Sequence, residues 1–122
     1  MKTGAVWYEI PVKQLERARK FYEAVFGFDF SFVELPGSMM YVFKTEHDAE
    51  TIKGALVQSN DNEPSKTGTV VYFGCEDVSV KTANISGAGG LLIFGKTPIA
   101  NFGYIAHFRD TEGNLIGLYS AQ

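Results

Sequence analysis

The chain has 122 residues, 45% of them hydrophobic and 20% charged, with a formal net charge of −3. That is enough apolar material for one globular domain over residues 1–122, and too little clustered Lys and Arg for a broad nucleic-acid surface. A lone cysteine, Cys75, excludes an intrachain disulfide and a multi-cysteine zinc site. With no membrane-length apolar run and no N-terminal signal pattern, the expectation is a soluble cytoplasmic protein with no membrane partner.

In chain order, Ala5 to Val12 alternates and carries Trp, Tyr and Ile, which predicts a strand. The period then changes. From Gln14 to Phe26 the apolar residues Leu15, Ala18, Phe21, Tyr22, Val25 and Phe26 recur at three- and four-residue spacing, and Gly27 is placed to end the helix. Three strands are predicted next, at Asp29–Glu34, Met39–Lys44 and Gly54–Gln58, with a turn at Pro36-Gly37 and a polar connection that contains His47.

Residues 59–68 are polar and turn-forming and read as a linker, after which the pattern starts again. Thr69 to Cys75 predicts a strand, Asp77 an N-cap, Val78 to Ser86 a helix, and Gly87-Ala88-Gly89-Gly90 its end. Strands follow near Leu91–Gly95, Gly103–Arg109 and Leu115–Ser120. Both halves therefore run strand, helix, strand, strand, strand, with a spacing of about sixty residues, the mark of an internal duplication. Module 1 covers residues 1–58 and module 2 residues 69–122. The fold class is α+β.

Two βαβββ modules, with "VKQLERARKFYEAVFGF" in the first and "FRDTEGNLIGL" in the second, resemble the vicinal oxygen chelate superfamily, which includes glyoxalase I, bleomycin-resistance proteins and extradiol dioxygenases. The resemblance implies that each module curls into a half-barrel sheet, that paired modules enclose a cup, and that two chains form a homodimer completing the cups. Metal-using members take a His from a module's first strand and a Glu from its last. The matching positions here hold Trp7, Val70, Gly117, and Gly54 or Ala55, none of which offers a side-chain lone pair. A divalent cation needs about three or four such donors, so the expectation is no metal and no other cofactor.

Gly117 interrupts an apolar strand, where glycine packs nothing and weakens pairing. It leaves room for a bulky neighbour such as Trp7 or for a ligand, unless it only relieves a bent sheet. Strand alternation puts Glu9 on the face of Trp7, where desolvation by an apolar wall would suit it to proton transfer; a partly wet, paired carboxylate is the plainer alternative. His107 stands where it can meet a ligand from the wall opposite Glu9, or serve as a hydrogen-bonded residue beside the core. Aromatic residues make 14% of the chain, and Trp7, Tyr72 and Tyr119, with Tyr41 as a further candidate, are expected to line the cup.

The predicted ligand-binding set is therefore Trp7, Glu9, Tyr41, Tyr72, His107, Gly117 and Tyr119, and the predicted partner a small organic molecule, aromatic or partly apolar. Sequestration without chemistry is the leading expectation. The alternatives are a lyase or isomerase with Glu9 as general base and His107 orienting a carbonyl, and a metal-dependent glyoxalase or dioxygenase. Arg109 is expected in a rim ion pair with Asp110 or Glu112, and Cys75 as a small apolar residue.

Overall fold

The computed structural model describes residues 3–44 and 51–122. In chain order the elements are β1 (Trp7–Pro11), α1 (Leu15–Phe26), β2 (Phe30–Leu35), β3 (Ser38–Phe43), β4 (Lys53–Ser59), β5 (Val71–Gly74), α2 (Val78–Thr82), β6 (Leu91–Pro98), β7 (Tyr104–Arg109) and β8 (Leu115–Ser120). They form two four-stranded sheets, ordered β1-β4-β3-β2 and β5-β8-β7-β6. This is the α+β arrangement of two βαβββ modules that the repeated order predicts.

Within each module the first strand pairs in parallel with the last, and the other pairings are antiparallel. Leu15 and Val78 open the equivalent helices, and the same spacing matches Trp7 with Val70 and Glu9 with Tyr72. Glu9 pairs with Ala55 and Tyr72 with Gly117, so Ala55, not Gly54, is the counterpart of Gly117.

The helix α1 forms where its apolar spacing predicts and buries Leu15, Ala18, Phe21, Tyr22 and Val25. Gly27, at φ 74°, closes it by donating its amide to the Glu23 carbonyl. Its start is unusual, because Gln14 provides no side-chain cap. The Gln58 side chain accepts from the Leu15 amide instead, and Glu112, from the other module, accepts from the amides of Lys13 and Gln14.

The second helix is shorter than predicted, stopping at Thr82 rather than Ser86. Asp77 caps it as expected, accepting from the Ser79 amide. The segment Val78-Ser79-Val80-Lys81-Thr82 is rich in β-branched residues, which are stiff in a helix, and Asn84 and Gly87 add no helix preference. The chain continues in turns to Gly90, where a Cβ would lie 2.8 Å from the Arg109 carbonyl and from the Phe21 ring. The strand β6 runs past the predicted Gly95 to Pro98, with register irregularities against β7.

One apolar core draws on both modules. Tyr22 and Phe21 of α1 meet Phe43 of the first sheet and Phe73 and Phe108 of the second. The side chains of Ile10, Leu56, Phe73, Ala106, Phe108, Ile116 and Leu118 are buried in this same core. Because successive side chains on a strand point to opposite faces, the other face of each sheet turns away from the core. The predicted linker is not free of the fold: the Ser65 amide donates to the Asn114 side chain, and the Leu115 amide donates to the Ser65 carbonyl.

Candidate functional site

On the first sheet the outward face carries Trp7 and Glu9 beside a small satellite cluster of Met40, Ala55 and Val57. Trp7 is 43% exposed, and its indole N–H donates to the Glu9 carboxylate at 3.1 Å. Glu9 is itself exposed, which in the single chain fits the partly wet, paired carboxylate rather than the desolvated one. Tyr41 does not belong to this face. It pairs with Leu56 and turns toward α1, where its hydroxyl donates to Glu16 at 2.7 Å. The register of β3 against β4 decides this, since a shift of one residue would exchange its face.

On the second sheet the outward face holds a row that crosses all four strands: Tyr72 on β5, Gly117 on β8, His107 on β7 and Phe94 on β6, each the register partner of the next. A Cβ built on Gly117 would lie 2.5 Å from the Tyr72 ring. Of the alternatives open for Gly117, the missing side chain makes way for a bulky neighbour, and that neighbour is Tyr72 rather than Trp7. Lying across β8, Tyr72 brings its hydroxyl to 2.6 Å from His107 Nε2. Phe94 packs on the imidazole, with ring centroids 4.6 Å apart. Burial lowers the pKa of His107, which favours the neutral ring.

Tyr119 shares this face, and its hydroxyl donates to the Phe102 carbonyl. Gly103 meets it closely: with φ at 111° and a notional Cβ 3.0 Å from the Tyr119 oxygen, only glycine fits. Thus Trp7 and Glu9 come together on one sheet, and Tyr72, Gly117, His107 and Tyr119 on the other. Glu9 and His107 do not meet within one chain. His47 lies outside the described residues.

One further expectation is corrected. Arg109 makes no ion pair with Asp110 or Glu112; its guanidinium donates to the Gly113 carbonyl at 3.2 and 3.3 Å. Glu112 is taken by Arg17 instead, at 2.7 Å. Cys75 lies against the Tyr119 carbonyl, 3.6 Å from its Sγ, and burial pushes its thiol up, which makes it a poor nucleophile.

The residues present do not fit the metal that the superfamily resemblance brings into question. Trp7, Val70, Ala55 and Gly117 stand where the resemblance expects the four donors, and the space above Gly117 holds an aromatic ring. Among the described residues, no group of three His, Cys, Asp or Glu side chains is placed to hold an ion. Phe94 and the Tyr72–His107 contact were missed in the sequence. The signal was the pairing of both residues with the same glycine, which becomes visible only once the strands are registered.

Residues 4–118 match the model of the Glyoxalase/Bleomycin resistance protein/Dioxygenase superfamily. The chain belongs to that superfamily. The Mycobacterium tuberculosis protein named "Putative glyoxylase CFP32" is 28% identical over 118 residues, covering 96% of this chain and 44% of its own length. A glyoxylase-like domain-containing protein of Didymella fabae is 30% identical over 113 residues, covering 87% of this chain and 84% of its own. The chain thus spans less than half of CFP32. Among solved structures, glyoxalase I from Zea mays matches with a TM-score of 0.76 at 22% identity, over 95% of this chain and 45% of that one. A Frankia domain of the same superfamily matches with a TM-score of 0.78 at 13% identity over the whole of both chains. At these identities the structural likeness establishes the fold alone. No helix among the described residues is long and apolar enough to cross a membrane.

Proposed function

We propose that this superfamily member binds a small organic molecule, aromatic or partly apolar, in a cup without a resident metal, and sequesters it rather than converting it. The observation that carries the reading is the set of residues at the four donor positions: tryptophan, valine, alanine and glycine, with the Tyr72 ring lying over the glycine. Apolar walls with a few placed polar groups suit such a ligand, and the two outward faces supply them. Each face is open in the single chain, with Trp7, Tyr72 and Tyr119 all more than a third exposed. A second copy, setting the first sheet of one chain against the second sheet of the other, would enclose a cup between Trp7 and Glu9 on one wall and Tyr72 and His107 on the other. The assembly proposed is a cytoplasmic homodimer.

A thermal-shift screen tests this reading, because a ligand that binds only the native state raises its stability with concentration. Aromatic and heterocyclic compounds should raise the melting temperature equally with and without chelator. A rise with nickel, zinc, iron or manganese, abolished by chelator, would overturn it. The lyase or isomerase reading with Glu9 as base has weaker support, since Glu9 is exposed and engaged by the Trp7 indole. It requires Glu9→Gln to abolish turnover of a bound compound at nearly unchanged affinity, whereas sequestration requires the change to act on affinity alone.

A further inference from the structure

The Tyr72–His107 pair is built, not incidental. The Tyr72 ring can lie flat across β8 only because residue 117 has no Cβ, and that position brings the Tyr72 oxygen to 2.6 Å from Nε2. The imidazole is in turn held by Phe94 against one side. An exposed tyrosine has water to satisfy its hydroxyl, so packing alone gives no reason to clear a strand residue for this contact. A glycine in the interior of a strand costs stability, and here it secures one hydrogen bond on an open surface.

The hydrogen bond can run in either direction, because a neutral imidazole carries its proton on one nitrogen or the other. With the proton on Nδ1, the Tyr72 hydroxyl donates to Nε2 and its oxygen remains free to accept from a ligand. With the proton on Nε2, that nitrogen donates to Tyr72, whose own O–H is free to be given away. A carboxylate can use only the second arrangement and an ammonium only the first. A hydroxyl, which both donates and accepts, fits both. Beside the pair, the same face offers apolar surface in Phe94 and Tyr119. Arg109, two residues along β7 from His107, keeps its charge but turns its guanidinium to the Gly113 carbonyl.

We infer that the Tyr72–His107 pair is a hydroxyl-recognition site, selecting planar apolar ligands that carry a phenol or enol hydroxyl over ligands of the same shape that lack it. Gly117 acts as its positioning residue. This inference rests on the reading of the outward faces as ligand walls and names the ligand class for one of them.

Titration of the purified protein with para-cresol, toluene and benzoate, followed by the imidazole resonances of His107 in NMR, tests it. para-Cresol should bind about fivefold more tightly than toluene, the worth of one net hydrogen bond, and should shift the His107 nitrogen signals. Benzoate, which can use only one of the two arrangements, should bind less tightly than para-cresol. Tyr72→Phe, a change at an exposed ring, should reduce the preference for cresol over toluene to unity. Gly117→Ala should do the same by displacing the ring, with folding of each variant verified by its melting curve. Equal binding of cresol and toluene, a preference that survives Tyr72→Phe, or tighter binding of benzoate than cresol would each overturn the inference. Binding of toluene without any hydroxyl preference would leave the sequestration reading standing and remove this one, whereas stabilisation by metal alone would remove both.

Discussion

The carboxylate of Glu112 closes on the guanidinium of Arg17 at 2.7 Å while its other oxygen accepts the amides of Lys13 and Gln14, each at 2.8 Å. The turn that opens the last strand of the second module therefore caps the first helix of the first module. The Glu112 side chain is fully buried and Arg17 is 43% exposed, so the two partners are not equivalent. Replacing Glu112 by Ala strips two amides and one cation of their acceptor and should cost about 2–3 kcal/mol. Arg17→Ala removes a half-exposed cation and should cost less than about 1 kcal/mol. Urea unfolding of the two variants measures both, and equal losses would contradict the assignment of the cap as the dominant contribution.

The same carboxylate sets a pH dependence. Burial pushes the Glu112 carboxyl up, but the Arg17 ion pair and the donated amides outweigh it and hold it below its ordinary value. Between the native and the unfolded value the unfolded chain binds more protons, so stability from this group is complete above the unfolded value and falls as pH drops through the native one. Chemical denaturation below the ordinary carboxylate range should show this decline, and Glu112→Gln should lessen it.

Tyr22, fully buried, donates its hydroxyl to Asp110 at 2.7 Å, and burial raises the tyrosine well above its usual value, so it stays a neutral donor. Asp110 also accepts from the amides of Glu112 and Asn114 and from the Asn114 side chain. Tyr22→Phe should cost about 1–3 kcal/mol by leaving a buried acceptor short of one partner, as measured by the shift of the urea midpoint at unchanged slope.

Two glycines are covered by tyrosine rings, but on different faces. A Cβ at Gly54 would come within 2.4 Å of the Tyr8 ring, which is packed in the core against Phe43 and Phe73. Gly54→Ala should cost about 1–3 kcal/mol through overpacking, because the ring has nowhere to go. At Gly117 the exposed Tyr72 ring can swing away, so Gly117→Ala should cost little stability and appear instead as a changed His107 resonance. Similar losses for both would mean that Tyr72 is held more firmly than its exposure implies.

These pairs show how far the sequence could be read. Hydrophobic period and turn residues predict α1 and most strands to within a few residues, because burial of one face determines both. The position of Asp77 as a cap follows from its chemistry alone. What could not be read is whatever depends on registering strands distant in sequence. Tyr41 and Trp7 are each plausible wall residues by type, yet the pairing of Tyr41 with Leu56 turns it to the helix. The occupant of the space at Gly117 is set by β5 lying parallel to β8, and no local pattern encodes that. The short α2 marks the limit of periodic reading, since Val78 to Thr82 keeps an apolar rhythm while supplying poor helix formers.

The capping of α1 from across the duplication has a consequence for ancestry. Had the halves begun as interchangeable copies, each would once have finished its own leading helix. Here the earlier half borrows an acid from the later one, and the two share a single pool of phenylalanine rings. Severed near Asn60, the two fragments should be soluble and ordered only when mixed, so that the old unit of duplication is no longer a unit of folding.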